Sequence, residues 1–205
     1  MHPEALTKIG TTLFPSLSRF NDFYLVGGTA LALQIGHRVS VDFDMFGSNE
    51  LSRTLLAKVG RVFPGRAIVP SVNNPEQLNV TIDGLKTTFF WYQYPPVLPL
   101  ATYRGVPMAS VAEIAAMKAF AIGQRGTYRD YVDMYFLLKE NHVSLPHVIE
   151  LADRKFGNEF NHRLFLEQLI YLEDIREVKV DFLRNPVTES EVDQFLESAV
   201  KNFKL

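Results

Sequence analysis

The first half of the chain begins with the pattern of a strand, a turn and a helix. Residues 23–26 form a short apolar run that ends at Gly27 and Gly28, which is typical of a buried strand followed by a tight turn. Residues 29–35 are mostly apolar and are followed by Gly36. They predict a short helix that this glycine ends.

The next segment alternates with a period of two. Between residues 40 and 46, apolar side chains occupy every second position, and Asp42 and Asp44 stand between them. Successive side chains of a strand point to opposite faces of a sheet. The segment therefore predicts a strand whose apolar face meets the core and whose other face carries both acids.

Similar spacings predict the other elements of the first half. These are helices over residues 3–19 and 51–63 and strands over residues 67–72, 77–82 and 85–92, with an Asp83-Gly84 hairpin signal between the last two strands. Three prolines between residues 95 and 99 interrupt regular structure. We therefore place a subdomain boundary within residues 95–108.

The second half of the chain has helical spacing. Ser110 and Glu113 have the spacing of a capping box ahead of an apolar helix, which Gly123 is predicted to end. Further helices are predicted over residues 127–139, 146–155, 158–174 and 189–203. We predict an α+β (α/β) fold, with a mixed sheet and helices over residues 1–105 followed by a helical bundle over residues 106–205.

Composition narrows the class of protein. The 205 residues carry a formal net charge of -2, whereas domains that bind long nucleic acids by neutralising phosphates are usually strongly basic. The chain has no cysteine, which excludes disulfides, zinc–thiolate sites and cysteine nucleophiles. No stretch approaches the roughly 20 apolar residues that span a bilayer, and residues 1–10 lack a signal-peptide pattern. We expect a soluble cytoplasmic protein with no membrane partner.

Two carboxylates and a glycine turn form the first group of candidate site residues. Asp42 and Asp44 on one strand face lie close enough to share divalent cations, and phosphoryl transfer uses Mg²⁺ or Mn²⁺ to neutralise a triphosphate. Gly27 and Gly28 let the backbone approach a phosphate, and the following helix offers free N–H groups and a favourable dipole. The Thr29 hydroxyl adds a donor.

Each of these residues also has an ordinary interpretation. An Asp-x-Asp pattern is most often a solvated strand edge or a turn, and a Gly-Gly pair is most often only a turn. Thr29 could be only the N-cap of its helix. Their order on one strand–turn–helix–strand frame favours phosphate binding.

A lysine and the acids of the following helix form the second group. Lys118 shares a helical face with apolar residues, so its ammonium either extends to solvent or meets an anionic partner. Asp130 and Asp133 lie three residues apart. Asp130 could complete an N-terminal cap with Thr127, and Asp133 could form a surface pair with Arg129.

The stretch FYLVGGTALALQIGHRVSVDFDMF, residues 23–46, resembles the opening signature of the AbiEii-type abortive-infection nucleotidyltransferase toxins, which belong to the superfamily of DNA polymerase beta. The resemblance implies nucleotide contacts at Gly28 and Thr29 and metal ligands at Asp42 and Asp44. By the same resemblance, Arg38 would contact phosphate or the acidic pair. His37 would be a helper, although it could instead cap the preceding helix.

A second block extends this resemblance. The stretch MKAFAIGQRGTYRDYVDMYFLL, residues 117–138, is similar to a family block in which a helix lysine precedes a helix with an R-D-x-x-D pattern. The resemblance implies that Lys118 contacts phosphate and that Asp130 is a catalytic or site-organising acid. Asp133 and Arg129 would be helpers. We also expect that replacing Lys118 by methionine leaves folding stability nearly unchanged or raises it slightly.

One departure from the superfamily pattern concerns the metal ligands. Related polymerases often carry a third carboxylate on a later strand. Here the nearest candidate is Asp83, which belongs to the Asp-Gly turn. The metal site would then depend on Asp42 and Asp44, with Asp130 as a compensating acid, and the number of metal ions stays open.

The resemblance implies a metal-dependent enzyme that moves a nucleotide from an NTP to a tRNA 3′ end or a protein hydroxyl and releases pyrophosphate. Its biological role would be the toxin of a toxin–antitoxin pair, with a cognate antitoxin as partner. Two other classes stay open: an inactive nucleotide- or partner-binding module of the same fold, and a metal-dependent phosphohydrolase. Trp91, Tyr92 and Tyr94 could stack a base, although such residues more often pack in a sheet core.

Overall fold

The computed structural model describes residues 1–172, 175 and 178–203. Within it the chain divides into two compact units. The first unit takes residues 1–95 and 99–110, and the second takes residues 96–98 together with the chain from Val111 onward.

A mixed sheet forms the body of the first unit. Its seven strands are β1 (Phe23–Val26), β2 (Asp42–Gly47), β3 (Ile68–Asn73), β4 (Gln77–Ile82), β5 (Leu85–Trp91), β6 (Ala101–Tyr103) and β7 (Val106–Met108). Their order across the sheet is β3-β4-β5-β2-β1-β7-β6. Strand β2 lies antiparallel to β1 and parallel to β5, so the strand of the two acids is flanked on both edges.

The two faces of this sheet differ as the period-two pattern predicts. Phe43 and Met45 of β2 are buried, and so is Phe89 of β5, because these side chains fill the core of the first unit. Asp42 and Asp44 alternate with them and are half-buried. Burial of one face thus fixes the register that presents both acids on the other face.

The helices of the first unit differ from the predicted bounds. They are α1 (Lys8–Leu13), α2 (Gly27–Ile35) and α3 (Leu55–Val62), with 3₁₀ turns at Pro3–Ala5 and Phe14–Arg19. The single helix predicted over residues 3–19 is therefore wrong. Thr7 starts a new helix by accepting a hydrogen bond from the Gly10 N–H at 3.1 Å, and Pro15 stands at the start of the second 3₁₀ turn.

Two further differences concern the bounds of elements. Helix α3 starts at Leu55 rather than at residue 51, and the Leu51 N–H donates to the Pro75 carbonyl at 2.7 Å. Strands β6 and β7 were not predicted, since the preceding prolines indicated irregular structure. Arg104 and Gly105 have φ values of 48° and 78°, which closes a tight hairpin between these two strands.

Helices form the second unit. They are α4 (Val111–Arg125), α5 (Tyr128–Lys139), α6 (Leu145–Phe156), α7 (His162–Leu169) and α8 (Glu189–Lys201). Helix α4 continues past Gly123, so that glycine does not end it. The helix predicted over residues 158–174 is shorter in the structure, and residues 173 and 174 lie outside the described residues.

A buried ion pair lies beside residues 96–98 within the second unit. The Lys155 Nζ lies 2.6 Å from the Glu113 Oε1, and both side chains are buried. The Glu113 carboxylate also accepts hydrogen bonds from the N–H groups of Val97 and Leu98. Burial lowers the pKa of Lys155, while its hydrogen bond with Glu113 and the charge of Glu113 oppose that change.

The mixed sheet with helices, followed by further helices, confirms the predicted fold class. No helix in the described part of the chain is both long and apolar enough to cross a bilayer.

Candidate active site

The turn after β1 brings the backbone of Gly27 against the Asp44 carboxylate. Gly27 has a φ of +69°, and a Cβ added there would lie 2.9 Å from the Asp44 Oδ2. L-residues other than glycine rarely adopt this conformation, so both the backbone and the space favour glycine. The strand–turn–helix frame therefore places a carboxylate beside the N-terminus of α2.

The next glycine lies against a cation. A Cβ added at Gly28 would lie 2.2 Å from the Arg38 Nη2, and Arg38 is only 4% exposed. Its Nη1 donates to the Val39 carbonyl at 3.2 Å. The Arg38 guanidinium thus lies next to the N-terminus of α2, a nine-residue helix whose first N–H groups are free of intrahelical acceptors. A guanidinium beside such N–H groups is a suitable arrangement for binding phosphate.

Thr29 connects this helix to the acid strand. Its hydroxyl lies 2.7 Å from the Ser40 Oγ and donates toward the Asp42 carbonyl. The N-cap of α2 is Val26, so the interpretation of Thr29 as that cap is wrong. In this structure the buried Thr29 hydroxyl positions the start of β2, and its contact with a nucleotide stays a prediction.

The two acids are suited to hold a hard cation. Carboxylate oxygens are ligands that Mg²⁺ and Mn²⁺ prefer, and Asp42 and Asp44 share the half-buried face of β2. Among the described residues, no group of three or more His, Asp or Glu side chains gathers into a metal site. Two carboxylates suit Mg²⁺, which is commonly bound by one or two carboxylates together with substrate phosphates.

Strand β5 brings two residues beside the acids that the sequence pattern did not indicate. Lys86 pairs with Asp42, and Thr88 pairs with Asp44. Lys86 is exposed, and Thr88 is buried. Only the parallel register of β2 and β5 brings them here, and a single sequence carries no direct signal of that register.

Asp83 lies in the hairpin turn, as the sequence predicts. Its φ is 48°, and its carboxylate accepts hydrogen bonds from the Ala67 N–H at 2.8 Å and from Arg66 at 2.9 Å. The hydrogen bond from the Ala67 backbone, followed by that from Arg66, lowers the pKa of Asp83.

His37, the candidate helper that follows α2, is completely buried.

The second group of candidate residues lies in the second unit. The Lys118 Nζ lies 2.6 Å from the Asp130 Oδ1 and 2.7 Å from the Asp133 Oδ2. Lys118 is 8% exposed and the Asp133 side chain has no exposed surface. The lysine therefore meets anionic partners rather than extending to solvent. Because the Asp133 side chain is buried, the predicted surface ion pair of Asp133 with Arg129 is wrong.

Asp130 combines two interactions. Its Oδ2 accepts hydrogen bonds from the backbone N–H and the hydroxyl of Thr127, at 2.9 Å and 2.8 Å, in a capping box at the start of α5. Burial raises the pKa of Asp130, but the charge of Lys118 and the hydrogen bonds from Lys118 and Thr127 outweigh burial, so the pKa is lowered overall. Burial, followed by the charge of Asp130, raises the pKa of Tyr131 to about 12.

Known proteins are similar to this chain in sequence or in fold. An uncharacterized protein of Aquifex aeolicus (strain VF5) is 34% identical over 205 residues, covering 98% of this chain and 94% of that protein. MenT4, a nucleotidyltransferase toxin of Mycobacterium tuberculosis H37Rv, superposes with a TM-score of 0.64 at 16% identity, covering 94% and 81% of the two chains. JHP933 from Helicobacter pylori superposes with a TM-score of 0.53 at 16% identity, covering 93% and 90%.

A match to a protein-family model assigns the chain to a family. The model described as nucleotidyl transferase AbiEii toxin, type IV toxin–antitoxin system, matches residues 14–105 and 62–203. Together these matches include both groups of candidate residues. The chain belongs to the AbiEii family of nucleotidyltransferase toxins.

Proposed function

We propose that this nucleotidyltransferase uses Asp42 and Asp44 to act on an NTP whose phosphates bind at the N-terminus of α2. The observation that carries the proposal is the pair of contacts at the glycine turn, where Asp44 lies against Gly27 and Arg38 lies against Gly28. The Asp44 carboxylate, which can bind a cation, and the Arg38 guanidinium, which can bind an anion, thus adjoin the same short backbone segment. A metal–triphosphate complex carries both a cation and anionic phosphates.

In this mechanism the chain binds and orients the triphosphate. The backbone N–H groups at the start of α2 and the Arg38 guanidinium bind phosphate oxygens and hold the leaving pyrophosphate in one orientation. Asp42 and Asp44 would hold Mg²⁺ or Mn²⁺, which stabilises negative charge on the reacting phosphates. Thr29 acts on Asp42 through the start of β2, which keeps the carboxylate in position.

The reaction we propose is transfer of a nucleotide to an acceptor hydroxyl. A bond forms between the acceptor oxygen and the α-phosphorus, and the bond from the α-phosphorus to the pyrophosphate oxygen breaks. The acceptor hydroxyl releases its proton to the solvent, and pyrophosphate leaves. The acceptor is an RNA 3′ end, as in a tRNA, or a protein hydroxyl. A cognate antitoxin would act as partner, and the cytoplasm would be the place of action.

Residues of the second unit complete the proposal. The resemblance of α4 and α5 to the family block assigns phosphate binding to Lys118, and Asp130 and Asp133 hold its ammonium. Asp130 is therefore a site-organising acid that acts through Lys118. Arg129 and His37 stay proposed helpers.

Transfer of label from an NTP tests this function. Each of the four NTPs, labelled at the α-phosphate, would be incubated with the protein, Mg²⁺ or Mn²⁺, and cell extract, and labelled RNA and protein would be separated. We expect incorporation that Asp44→Asn abolishes. Asp83→Asn is the matched control, because Asp83 is a carboxylate of the same unit in a turn and asparagine tolerates a positive φ.

The alternatives give different products. A binding module would bind NTP without labelling any acceptor, and a phosphohydrolase would release free phosphate without an acceptor. Equal incorporation by the wild-type protein and by Asp44→Asn would contradict the proposed role of the acid pair.

A further inference from the structure

Four aromatic side chains continue the face of the sheet that carries the two acids. We call them the aromatic strip: Phe46, Phe90, Tyr92 and Tyr94. Phe46 follows Asp44 by two residues on β2, and it pairs with Phe90 of β5. Both therefore point to the same side of the sheet as the acids.

The rings of the strip contact one another in sequence. The centroid of Phe46 lies 5.5 Å from that of Phe90 and 4.7 Å from that of Tyr92. The centroid of Tyr92 lies 5.3 Å from that of Tyr94. These tilted and edge-to-face arrangements fix the rings in position, so the strip is a preformed surface.

The burial of the strip differs from that of the core. Phe43 and Phe89, on the opposite face of the same two strands, are 1% and 0% exposed. All four strip residues are only half-buried. Packing in the sheet core explains the burial of Phe43 and Phe89. It does not explain why four adjacent aromatic side chains beside the two acids stay partly exposed.

Polar groups border the strip. On β4, Gln77 pairs with Phe90 and Asn79 pairs with Thr88, and the Gln77 Nε2 lies 3.0 Å from the Asn79 Oδ1. Side-chain amides donate and accept hydrogen bonds, as the edges of bases do. Lys86, on the same face of β5, adds an exposed positive charge.

We propose that the aromatic strip is a binding subsite for a nucleobase of a single-stranded RNA acceptor. Aromatic side chains on a partly exposed sheet face, with a nearby cation and hydrogen-bonding groups, are suited to stack unpaired bases. The proposal rests on the proposed function and names the acceptor class that the same acids serve.

The direction of the strip favours the acceptor over the NTP. In the antiparallel pair of β1 and β2, Val26 lies opposite Asp44 and Tyr24 lies opposite Phe46. Gly27 and the N-terminus of α2 thus lie at one side of Asp44, and the strip extends from Asp44 to the other side. In-line displacement puts the attacking hydroxyl opposite the leaving pyrophosphate, which is toward the strip.

Binding of a fluorescein-labelled, short single-stranded oligoribonucleotide tests the proposal without any transfer step. Its affinity would be measured by fluorescence anisotropy for the wild-type protein, Phe90→Leu, Tyr92→Leu and Tyr92→Phe. We expect the two leucine variants to bind about tenfold or more weakly, the scale of one lost base-stacking contact. Tyr92→Phe keeps an aromatic ring and should bind nearly as the wild type does.

Two controls accompany this measurement. Tyr103→Leu removes a half-buried tyrosine of β6 that packs 5.6 Å from Phe14, outside the strip, and should leave RNA affinity unchanged. Thermal unfolding of each variant would establish that it is folded. NTP affinity, measured in the presence of Mg²⁺, should be the same in all variants.

The outcomes separate this proposal from the proposed function. Unchanged RNA affinity in the folded leucine variants, loss confined to NTP affinity, or a wild-type protein that does not bind the oligoribonucleotide would each overturn the subsite. A protein that binds RNA through the strip yet incorporates no label would contradict nucleotide transfer and still support the subsite.

Discussion

The Nζ of Lys118 lies 2.7 Å from the Oδ2 of Asp133, whose side chain has no exposed surface. A buried carboxylate is costly unless a cation neutralises it. Lys118 therefore stabilises the helical unit whatever it contributes to catalysis. This contact changes the expectation from the sequence that Lys118→Met leaves stability nearly unchanged.

We predict that Lys118→Met lowers the free energy of unfolding by about 3–5 kcal/mol, the usual cost of removing one partner of a buried ion pair. Adding Asp133→Asn to this variant removes the unpaired charge and should recover much of the loss. Urea unfolding of the wild type, both single variants and the double variant measures the coupling. A Lys118→Met protein as stable as the wild type would contradict the prediction.

Lowering the pH should weaken the contribution of Asp130 to the stability of the folded protein. Its pKa is lowered in the folded protein, so the unfolded chain takes up a proton first as the pH falls. The stabilisation is fully present above the ordinary aspartate pKa of about 3.9 and is lost as the pH falls through the lowered folded pKa. We expect Asp130→Asn to be less stable than the wild type at neutral pH, and the difference to shrink below about pH 4. A difference that is constant across this range would exclude the ionised form as its source.

Gly28→Ala should weaken NTP binding because its Cβ would displace the Arg38 guanidinium. NTP affinity measured by calorimetry with Mg²⁺ should fall on the order of tenfold or more, consistent with a lost charged contact. Gly60→Ala is the control, since a Cβ at Gly60 meets nothing within 4 Å and alanine favours the α3 helix. Equal NTP affinity in the two variants would show that Arg38 is not a phosphate ligand.

The buried pair of Glu113 and Lys155 should matter more than surface pairs do. Lys155→Met leaves a buried carboxylate with two N–H donors, and we expect a loss of about 3–5 kcal/mol in the free energy of unfolding. Glu167→Ala breaks the exposed pair with Arg163, whose side chains are 57% and 84% exposed, and should cost less than about 1 kcal/mol. Similar losses in both variants, measured by urea unfolding, would contradict the importance of burial.

The sequence predicted the elements whose patterns are local. The apolar run before Gly27 and the alternation around Asp42 and Asp44 both identified their strands, because burial of one face requires those periods. Residues 23–46 and 117–138 also predicted the family, which the family model confirms.

What the sequence did not predict depends on contacts between distant residues. Lys86 and Thr88 lie beside the acids only because β5 pairs with β2 in parallel, and Thr29 meets Asp42 across a turn of the chain. Strands β6 and β7 are three residues each, too short for a periodic signal. Such features follow from tertiary pairing rather than from local preference.

The position of β2 in the sheet has a consequence for synthesis of the chain on the ribosome. β1 and β2 are close in sequence, so the hairpin-like pairing of Phe23–Val26 with Asp42–Gly47 can form early. In the part of the chain that the structure describes, the other edge of β2 pairs with Leu85–Trp91. A nascent chain that has not yet exposed residue 91 therefore holds both carboxylates on a strand with one unpaired edge, and the second row of backbone hydrogen bonds along β2 has to await the later strand.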